Sequence, residues 1–179
     1  MTQLSLVRGA TEPALLEYTI GEALLRAAKQ WPKQEALVSV HQGIRWTYEQ
    51  FSHHVDRVAA GLLALGLKSG DRVGVWAPNC AEWPLVQFAT ARVGMIQVNI
   101  NPAYRLSEVE YTLNKVGVKA LVCAEKFKTS DYVGMINELA PEIATSKRGE
   151  LKSKRLPDLR IVAQIGGQPG LGWMAFEDI

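Results

Sequence analysis

The stretch between residues 66 and 122 constrains the possible fold more than any other part of this sequence. It holds three short apolar runs, at 72–77, 95–99 and 119–124, separated by two segments in which apolar residues recur with a helical period. The first and third runs are apolar almost throughout, which is typical of strands covered on both faces. Strands and helices that alternate at this spacing predict a parallel sheet with right-handed crossovers.

The middle run, IQVNI, alternates between apolar and polar residues. Successive side chains of a strand point to opposite faces, so Ile96, Val98 and Ile100 are expected to share one face. The amides between them, Gln97 and Asn99, are expected on the other face.

Start signals for helices recur along the chain. In a capping box, two side chains three positions apart each satisfy a free backbone N–H group of the first helical turn. This pattern predicts helices that begin at Thr19, Thr47, Asn79 and Ser107, each followed three positions later by Glu or Gln. A shorter helix is predicted over 131–140, before Pro141.

The remaining segments predict strands and loops. The runs 35–41 and 44–47 flank a Gln42-Gly43 turn and predict an antiparallel hairpin. The polar, basic segment 142–157 predicts a long loop, and 159–165 predicts a last strand. The final residues, WMAFEDI, follow a glycine-rich loop and indicate the start of another buried element.

These patterns predict an α/β fold with a mostly parallel sheet, helices on both of its faces and a small antiparallel hairpin. Residues 1–17 are expected to be a loosely held arm. Residues 18–179 are expected to form one α/β subdomain.

The composition is that of an ordinary soluble globular protein, with 47% hydrophobic and 21% charged residues. The net charge of +2 is too small to indicate a nucleic-acid partner. No apolar run reaches the roughly 18–20 residues of a membrane span, and no secretory leader is recognisable. We therefore expect a cytoplasmic protein in which Cys80 and Cys123 are reduced.

Several motifs do not survive a check of their context. Gly170-x-Gly172-x-x-Ala175 fits the loose dinucleotide fingerprint, but no helix follows it to receive a pyrophosphate. His53 and His54 are adjacent, so they point to different sides of a helix, and both are expected to be solvated. No residues at metal-ligand spacing are found, and no metal site is predicted.

A basic segment at 147–155 is open to two interpretations. Its cations outnumber its single carboxylate and could hold an anion such as a nucleotide phosphate. No aromatic residues interleave with them, which argues against nucleic acid. The simpler interpretation is a solvated charge run on a surface loop.

The strongest indication of a site is positional. Ligands of open α/β sheets lie beyond the carboxyl ends of the strands. The loops predicted there are 78–80 and 101–105, which offer amide, phenol and guanidinium groups. They offer no nucleophile–base pair, so these residues predict a ligand edge without an assigned reaction.

An ordered series of short motifs resembles the N-terminal part of acyl-CoA synthetases of the adenylate-forming, or AMP-binding, superfamily. The similarity is greatest to the medium-chain fatty acyl-CoA ligases, family member two. The motifs are Thr47-Tyr48-x-x-Phe51, Gly66-Leu67-x-x-Gly70-Asp71-Arg72-Val73, Asn79-x-x-Glu82-Trp83, Gly94, Asn99-x-Asn101-Pro102-x-Tyr104, Glu108-x-Glu110-Tyr111, and the later FKTSDY and LKSKRLPDL.

The resemblance implies an acetyl-CoA-synthetase-like fold and a two-step reaction. A fatty acid would attack the α-phosphate of ATP, with Mg²⁺, to form an acyl adenylate, and coenzyme A would then displace AMP. The family's phosphate loop and catalytic groups match no position here, so no catalytic or cofactor-binding residue is carried over. We therefore expect a truncated segment that is inactive alone, in which Trp83 and Tyr104 line part of the substrate channel.

Two alternatives remain open from the sequence. The chain could be a stand-alone binding module on the same scaffold, or part of an adenylating ligase for an aryl or other carboxylic acid. As an isolated piece, the parallel sheet would expose an open edge, so some self-association is expected.

Overall fold

The computed structural model describes Ser5 and residues 9–179. Its helices are α1 (Ile20–Gln30), α2 (Tyr48–Ala64), α3 (Glu82–Arg92), α4 (Leu106–Val116) and α5 (Tyr132–Leu139). Its strands are β1 (Glu35–Ser39), β2 (Ile44–Thr47), β3 (Arg72–Trp76), β4 (Ile96–Asn99), β5 (Val118–Ala124), β6 (Lys126–Phe127), β7 (Ser130–Asp131), β8 (Ile161–Ile165) and β9 (Met174–Ala175). Short 3-10 helices span Val40–Gln42, Pro141–Thr145 and Phe176–Asp178.

Five strands form one parallel sheet in the order β4-β3-β5-β8-β9. Strands β1 and β2 form a separate antiparallel hairpin, and β6 and β7 form another. The predicted fold class is therefore confirmed. The predicted hairpin is also confirmed, although its first strand ends at Ser39 and a 3-10 turn leads to Gly43 in the left-handed conformation.

Two separate apolar layers cover the sheet. Alternate residues of β5 enter different layers: Ala120 and Val122 join the layer built on α1, α2 and α3, while Leu121 and Cys123 join the layer built on α4 and α5. This arrangement explains why the central strands are apolar at nearly every position. The edge strand β4 differs, because its Ile96 is 51% exposed.

Helix α2 follows the sequence signals closely. Thr47 Oγ1 accepts the N–H of Gln50 at 3.3 Å, and Gln50 Oε1 accepts the N–H of Thr47 at 2.9 Å, so the predicted capping box is confirmed. The helix ends at Ala64, and the chain leaves through Gly66 at a φ of 82°.

The predicted cap of α3 by Asn79 is wrong. Asn79 is exposed, and the residue that precedes the helix is Ala81. The N–H group of Ala81 donates instead to Oε1 of Gln42 at 2.8 Å. The Gln42 amide also donates to the carboxylate of Glu82, so the hairpin turn caps this helix from outside.

The predicted start of α4 at Ser107 is also wrong. The helix begins at Leu106, and Glu108 accepts the N–H of Arg105 at 2.7 Å. Glu110, which the motif had paired with Ser107, instead holds Arg155 with two contacts of 2.9 and 2.7 Å.

The last residues contribute to the core, as expected. Trp173, Met174 and Phe176 are buried, and β9 pairs with β8. The predicted arm at 1–17 lies partly outside the described residues. Residues 9–17 contain neither helix nor strand, and the boundary near residue 17 stays a prediction.

The backbone around Gly172 leaves no space for a side chain, so a substitution there is predicted to destabilise the fold. Its φ is 78°, and a Cβ there would lie 1.9 Å from the carbonyl oxygen of Ile143. We expect Gly172→Ala to lower the free energy of unfolding by about 2–4 kcal/mol, because left-handed strain and overpacking add. Urea denaturation of the chain measures this change.

A matched control lies two residues away in the same loop. A Cβ at Gly170 would have no neighbour within 4 Å. We expect Gly170→Ala to leave the urea midpoint nearly unchanged. Equal midpoints for the two variants would contradict the packing argument.

Candidate functional site

The strand order identifies where a ligand site belongs. Strands β3 and β5 are neighbours in the sheet. The connection after β3 leads through α3 to β4, its neighbour in one direction along the sheet, while the connection after β5 leads to β8, its neighbour in the other direction. Adjacent strands whose connections diverge in this way form a topological switch point, and ligands bind outside the carboxyl ends there. The loops that follow β3, β4 and β5 therefore define the candidate site.

Two adjoining clefts occupy this edge. The first has a volume of about 320 Å³ and lies between the ends of β3 and β4. The second has a volume of about 390 Å³ and lies between the loop after β4 and the β6–β7 turn. They share Asn101 and Pro102, which form the ridge between them.

Buried aromatic donors hold this shared ridge in place. Trp76, which is fully buried, donates its indole N–H to the carbonyl oxygen of Asn101 at 3.0 Å. Tyr132 donates its hydroxyl to the carbonyl oxygen of Pro102 at 3.0 Å, and burial raises the pKa of this phenol. The two rings contact each other with centroids 4.5 Å apart. The ridge is therefore fixed from below by the core.

Arg105 joins the loops on either side of the second cleft. Its guanidinium donates to the hydroxyl of Thr129 at 3.1 Å and to the carbonyl oxygen of Thr129 at 3.3 Å. Lys128 lies in the same turn, with its ammonium 5.3 Å from the ring centroid of Phe127. The second cleft thus combines two cations with the ring of Phe127, an arrangement suited to an anionic ligand.

The two candidate channel residues take different positions. Trp83 lines the first cleft and donates its indole N–H to the carbonyl oxygen of Ala77 at 3.0 Å. Tyr104 is half-buried and packs against the core layer of α4 and α5, and its side chain does not line either cleft. The structure therefore brings Trp83, but not Tyr104, to a cleft wall.

The two cysteine thiols are poor candidates for a nucleophile. Burial and the neighbouring Glu82 carboxylate raise the pKa of the Cys80 thiol to about 12. Cys123 is fully buried, which also raises the pKa of its thiol. Both thiols are therefore protonated and unreactive near neutral pH. Within residues 9–179, no group of three or more His, Cys, Asp or Glu side chains could hold a metal ion.

The expectation that both histidines are solvated is wrong for His54. Its ring contacts Trp46 in a tilted arrangement with centroids 4.2 Å apart, beside a hollow of about 210 Å³ that Arg57 and Glu82 also line. Burial and the nearby Arg57 lower the pKa of His54, so its imidazole is neutral at pH 7. His53 is exposed, as expected.

Comparison with known proteins decides the family. The family model described as AMP-binding enzyme matches residues 24–167. The chain belongs to the AMP-binding enzyme family. The predicted resemblance is thus confirmed, and it extends over most of the sequence.

Relatives within the AMP-binding family carry a more specific name. The mitochondrial medium-chain acyl-CoA ligase ACSF2 of Rattus norvegicus is 46% identical over 90% of this chain and 26% of its own length. Its counterpart in Danio rerio is 47% identical over 93% of this chain and 28% of its own length. The chain therefore spans little more than a quarter of these relatives.

A solved structure shows the same fold. Acetoacetyl-CoA synthetase from Streptomyces lividans superposes with a TM-score of 0.73 at 27% identity, over 89% of this chain and 24% of that one. The fold of this chain is therefore also present in a solved acyl-CoA synthetase structure.

The expected cytoplasmic location is wrong, because the medium-chain acyl-CoA ligases matched by this chain are named as mitochondrial proteins. The expectation rested on the lack of a membrane-spanning apolar run and of a recognisable secretory leader. Neither observation separates the cytosol from the mitochondrion. Within the described part of the chain, no helix is long and apolar enough to cross a bilayer.

Proposed function

We propose that this chain is the N-terminal part of a mitochondrial medium-chain fatty acyl-CoA ligase. The observation that carries the proposal is the identity of 46–47% to such ligases over at least 90% of the chain. A stand-alone binding module and a ligase for aryl acids gain no support from the relatives.

The proposed reaction joins a fatty acid to the thiol of coenzyme A at the expense of ATP. The carboxylate attacks the α-phosphate to form an acyl adenylate, and the thiol then displaces AMP. Both steps bring anions together, so positioning and neutralisation of charge dominate the catalysis. Membership of the AMP-binding family supports the use of ATP, Mg²⁺ and coenzyme A by the complete enzyme.

The residues of this chain do not fit the ATP and Mg²⁺ that the family uses. The glycine-rich segment 166–172 leads into β9 and not into a helix, so its loop offers no helix N-terminus to a phosphate. The described residues also lack the carboxylate cluster that a resident divalent ion would need. We therefore assign no nucleotide chemistry to them.

The role that remains for this segment is to build part of the substrate channel. The first cleft is walled by the Trp83 indole and floored by Ile100, which suits an acyl or pantetheine chain. Tyr104 belongs to the loop between the two clefts, but its side chain packs against the core layer of α4 and α5, so any effect on the channel would act through the position of that loop. We propose both as substrate-channel residues, with Trp83 in direct contact.

The chain alone is expected to be inactive. Incubated with ATP, Mg²⁺ and medium-chain fatty acids, it should release no more pyrophosphate than a blank without protein. The physical reason is that the glycine-rich loop of the described chain leads into no helix N-terminus, and that the described residues lack a carboxylate cluster for Mg²⁺. The full-length enzyme assayed in parallel is the positive control, and turnover by the chain alone would refute this assignment.

Substitution of the channel residues in the full-length enzyme tests their role. We expect Trp83→Ala to change the ratio of kcat/KM between two fatty acids that differ by one methylene by about tenfold, because the cleft wall recedes. Tyr104→Ala should have a smaller effect. Trp46→Ala, on the hairpin away from both clefts, is the control, and unchanged ratios in the first two variants would remove them from the channel.

The open edge of the sheet also leads us to propose that copies of the isolated chain self-associate. Strand β4 has β3 on one side and no strand of the described chain on the other, and its Ile96 is half exposed. Light scattering should detect species larger than the monomer, and Ile96→Lys should reduce them, because a lysine blocks edge pairing. A monodisperse monomer before any substitution would contradict this prediction.

A further inference from the structure

A basic hollow lies near the amino ends of the parallel strands, at the opposite end from the two clefts. It has a volume of about 540 Å³ and is lined by Gly149, Glu150, Leu151, Lys152, Ser153, Lys154, Pro157 and Arg160. Arg160 immediately precedes β8, so the hollow lies near the amino ends of the parallel strands. It is therefore separate from the candidate substrate channel.

The hollow is held rigidly although its segment is a loop. Leu151, Leu156 and Leu159 are buried in the core layer of α4 and α5. The N–H of Leu151 donates to the carbonyl oxygen of Arg160 at 3.0 Å, which closes the loop on itself. The N–H of Arg160 donates to the carbonyl oxygen of Lys119 at 2.9 Å, which ties the loop to β5.

Burial alternates along this loop, and the alternation places its cations outward. Leu151 and Ser153 are buried, whereas the residue that follows each of them, Lys152 and Lys154, is exposed. Arg160 is exposed beside the buried Leu159. Three cationic side chains therefore surround one concave surface whose backbone is anchored by the core.

Two carboxylates outside the lining, Glu142 and Asp71, interact by charge with Lys154 and Arg160 of the hollow. Glu142 accepts the backbone N–H of Lys154 at 3.2 Å, and Asp71, whose charge interacts with Arg160, is held by Lys119 at 2.5 Å. Among the described residues, Lys152, Lys154 and Arg160 form no salt bridge. Glu150 is the one carboxylate in the lining, which therefore sets three cations against one carboxylate.

We propose that this hollow binds a phosphate group. Lysine and arginine side chains that converge on a concave surface are the groups proteins use to hold phosphate, and the anchored loop lowers the entropic cost of ordering them. No aromatic side chain lines the hollow, which disfavours single-stranded nucleic acid. The site does not depend on the ligase assignment.

The phosphate could belong to a soluble molecule or to the headgroup of an anionic lipid. Two probes separate these sources: inorganic phosphate, followed by the amide NMR signals of residues 149–160, and sedimentation with phosphatidylcholine vesicles with and without phosphatidate. A soluble ligand shifts the amide signals without vesicle binding. A lipid ligand requires phosphatidate for sedimentation, and its binding weakens as salt is added.

The decisive comparison uses two double variants of equal charge. Lys152→Glu with Lys154→Glu reverses two cations of the hollow, whereas Lys29→Glu with Lys33→Glu reverses two exposed cations near the end of α1. We expect the first pair to weaken binding of whichever probe the wild type binds by at least about tenfold, and the second to preserve it. Circular dichroism confirms that both variants are folded.

Three results would overturn the proposal. They are the absence of binding to either probe by the wild type, equal losses in the two double variants, and undiminished binding after reversal of Lys152 and Lys154. The second result would show that net charge alone is responsible. A finding that the ligase assignment is wrong would leave the outcome of this experiment unaffected.

Discussion

The structure depends on burying β3 and β5 from both faces at once. Val73 and Val75 of β3 enter one apolar layer, while Trp76 enters the other, and β5 divides its side chains in the same way. A strand with two buried faces needs cover on both sides, and the helices on either side of the sheet supply it. This requirement places helices on both sides of the sheet and leaves the connecting loops at its two ends.

The two ends of a parallel sheet are chemically different, and this chain uses them differently. At the carboxyl end, Trp76 and Tyr132 reach out of the core to hold a ridge between two clefts. At the amino end, Asp71 is buried, which opposes its ionisation, but hydrogen bonds from Lys119 and the N–H of Lys68 keep its pKa below the usual range. That ion pair joins the start of β3 to the start of β5, so it closes the core at this end, and the basic hollow beside it lies on the surface outside the core.

Periodicity predicted the elements well, whereas the caps were confirmed at Thr19 and Thr47 and wrong at Asn79 and Ser107, for a physical reason. Burial repeats along a helix or strand and is visible in a local window, as for the stripe of α2 from Phe51 to Leu62. A cap needs only one donor or acceptor, which any neighbour in space can supply. Gln42 lies 39 residues from Ala81, so its contact with α3 could not be seen in the local pattern at Asn79. The half-buried position of His54 depends likewise on Trp46 of the hairpin.

The sequence predicted part of the candidate site, because it indicated which loops follow strands but did not give the order of the strands in the sheet. The loops after β3 and β4 were identified, but Lys128 and Thr129 were missed because β5 was not known to lie beside β3. Once that order is fixed, the turn after β5 must lie at the same edge, and Arg105 must meet it. The same argument limits what the fold can assign, since residues at an edge define a place for a ligand and only their chemistry selects one. Here that chemistry is an indole wall in one cleft and two cations in the other, which suits an acyl chain and an anion at neighbouring positions.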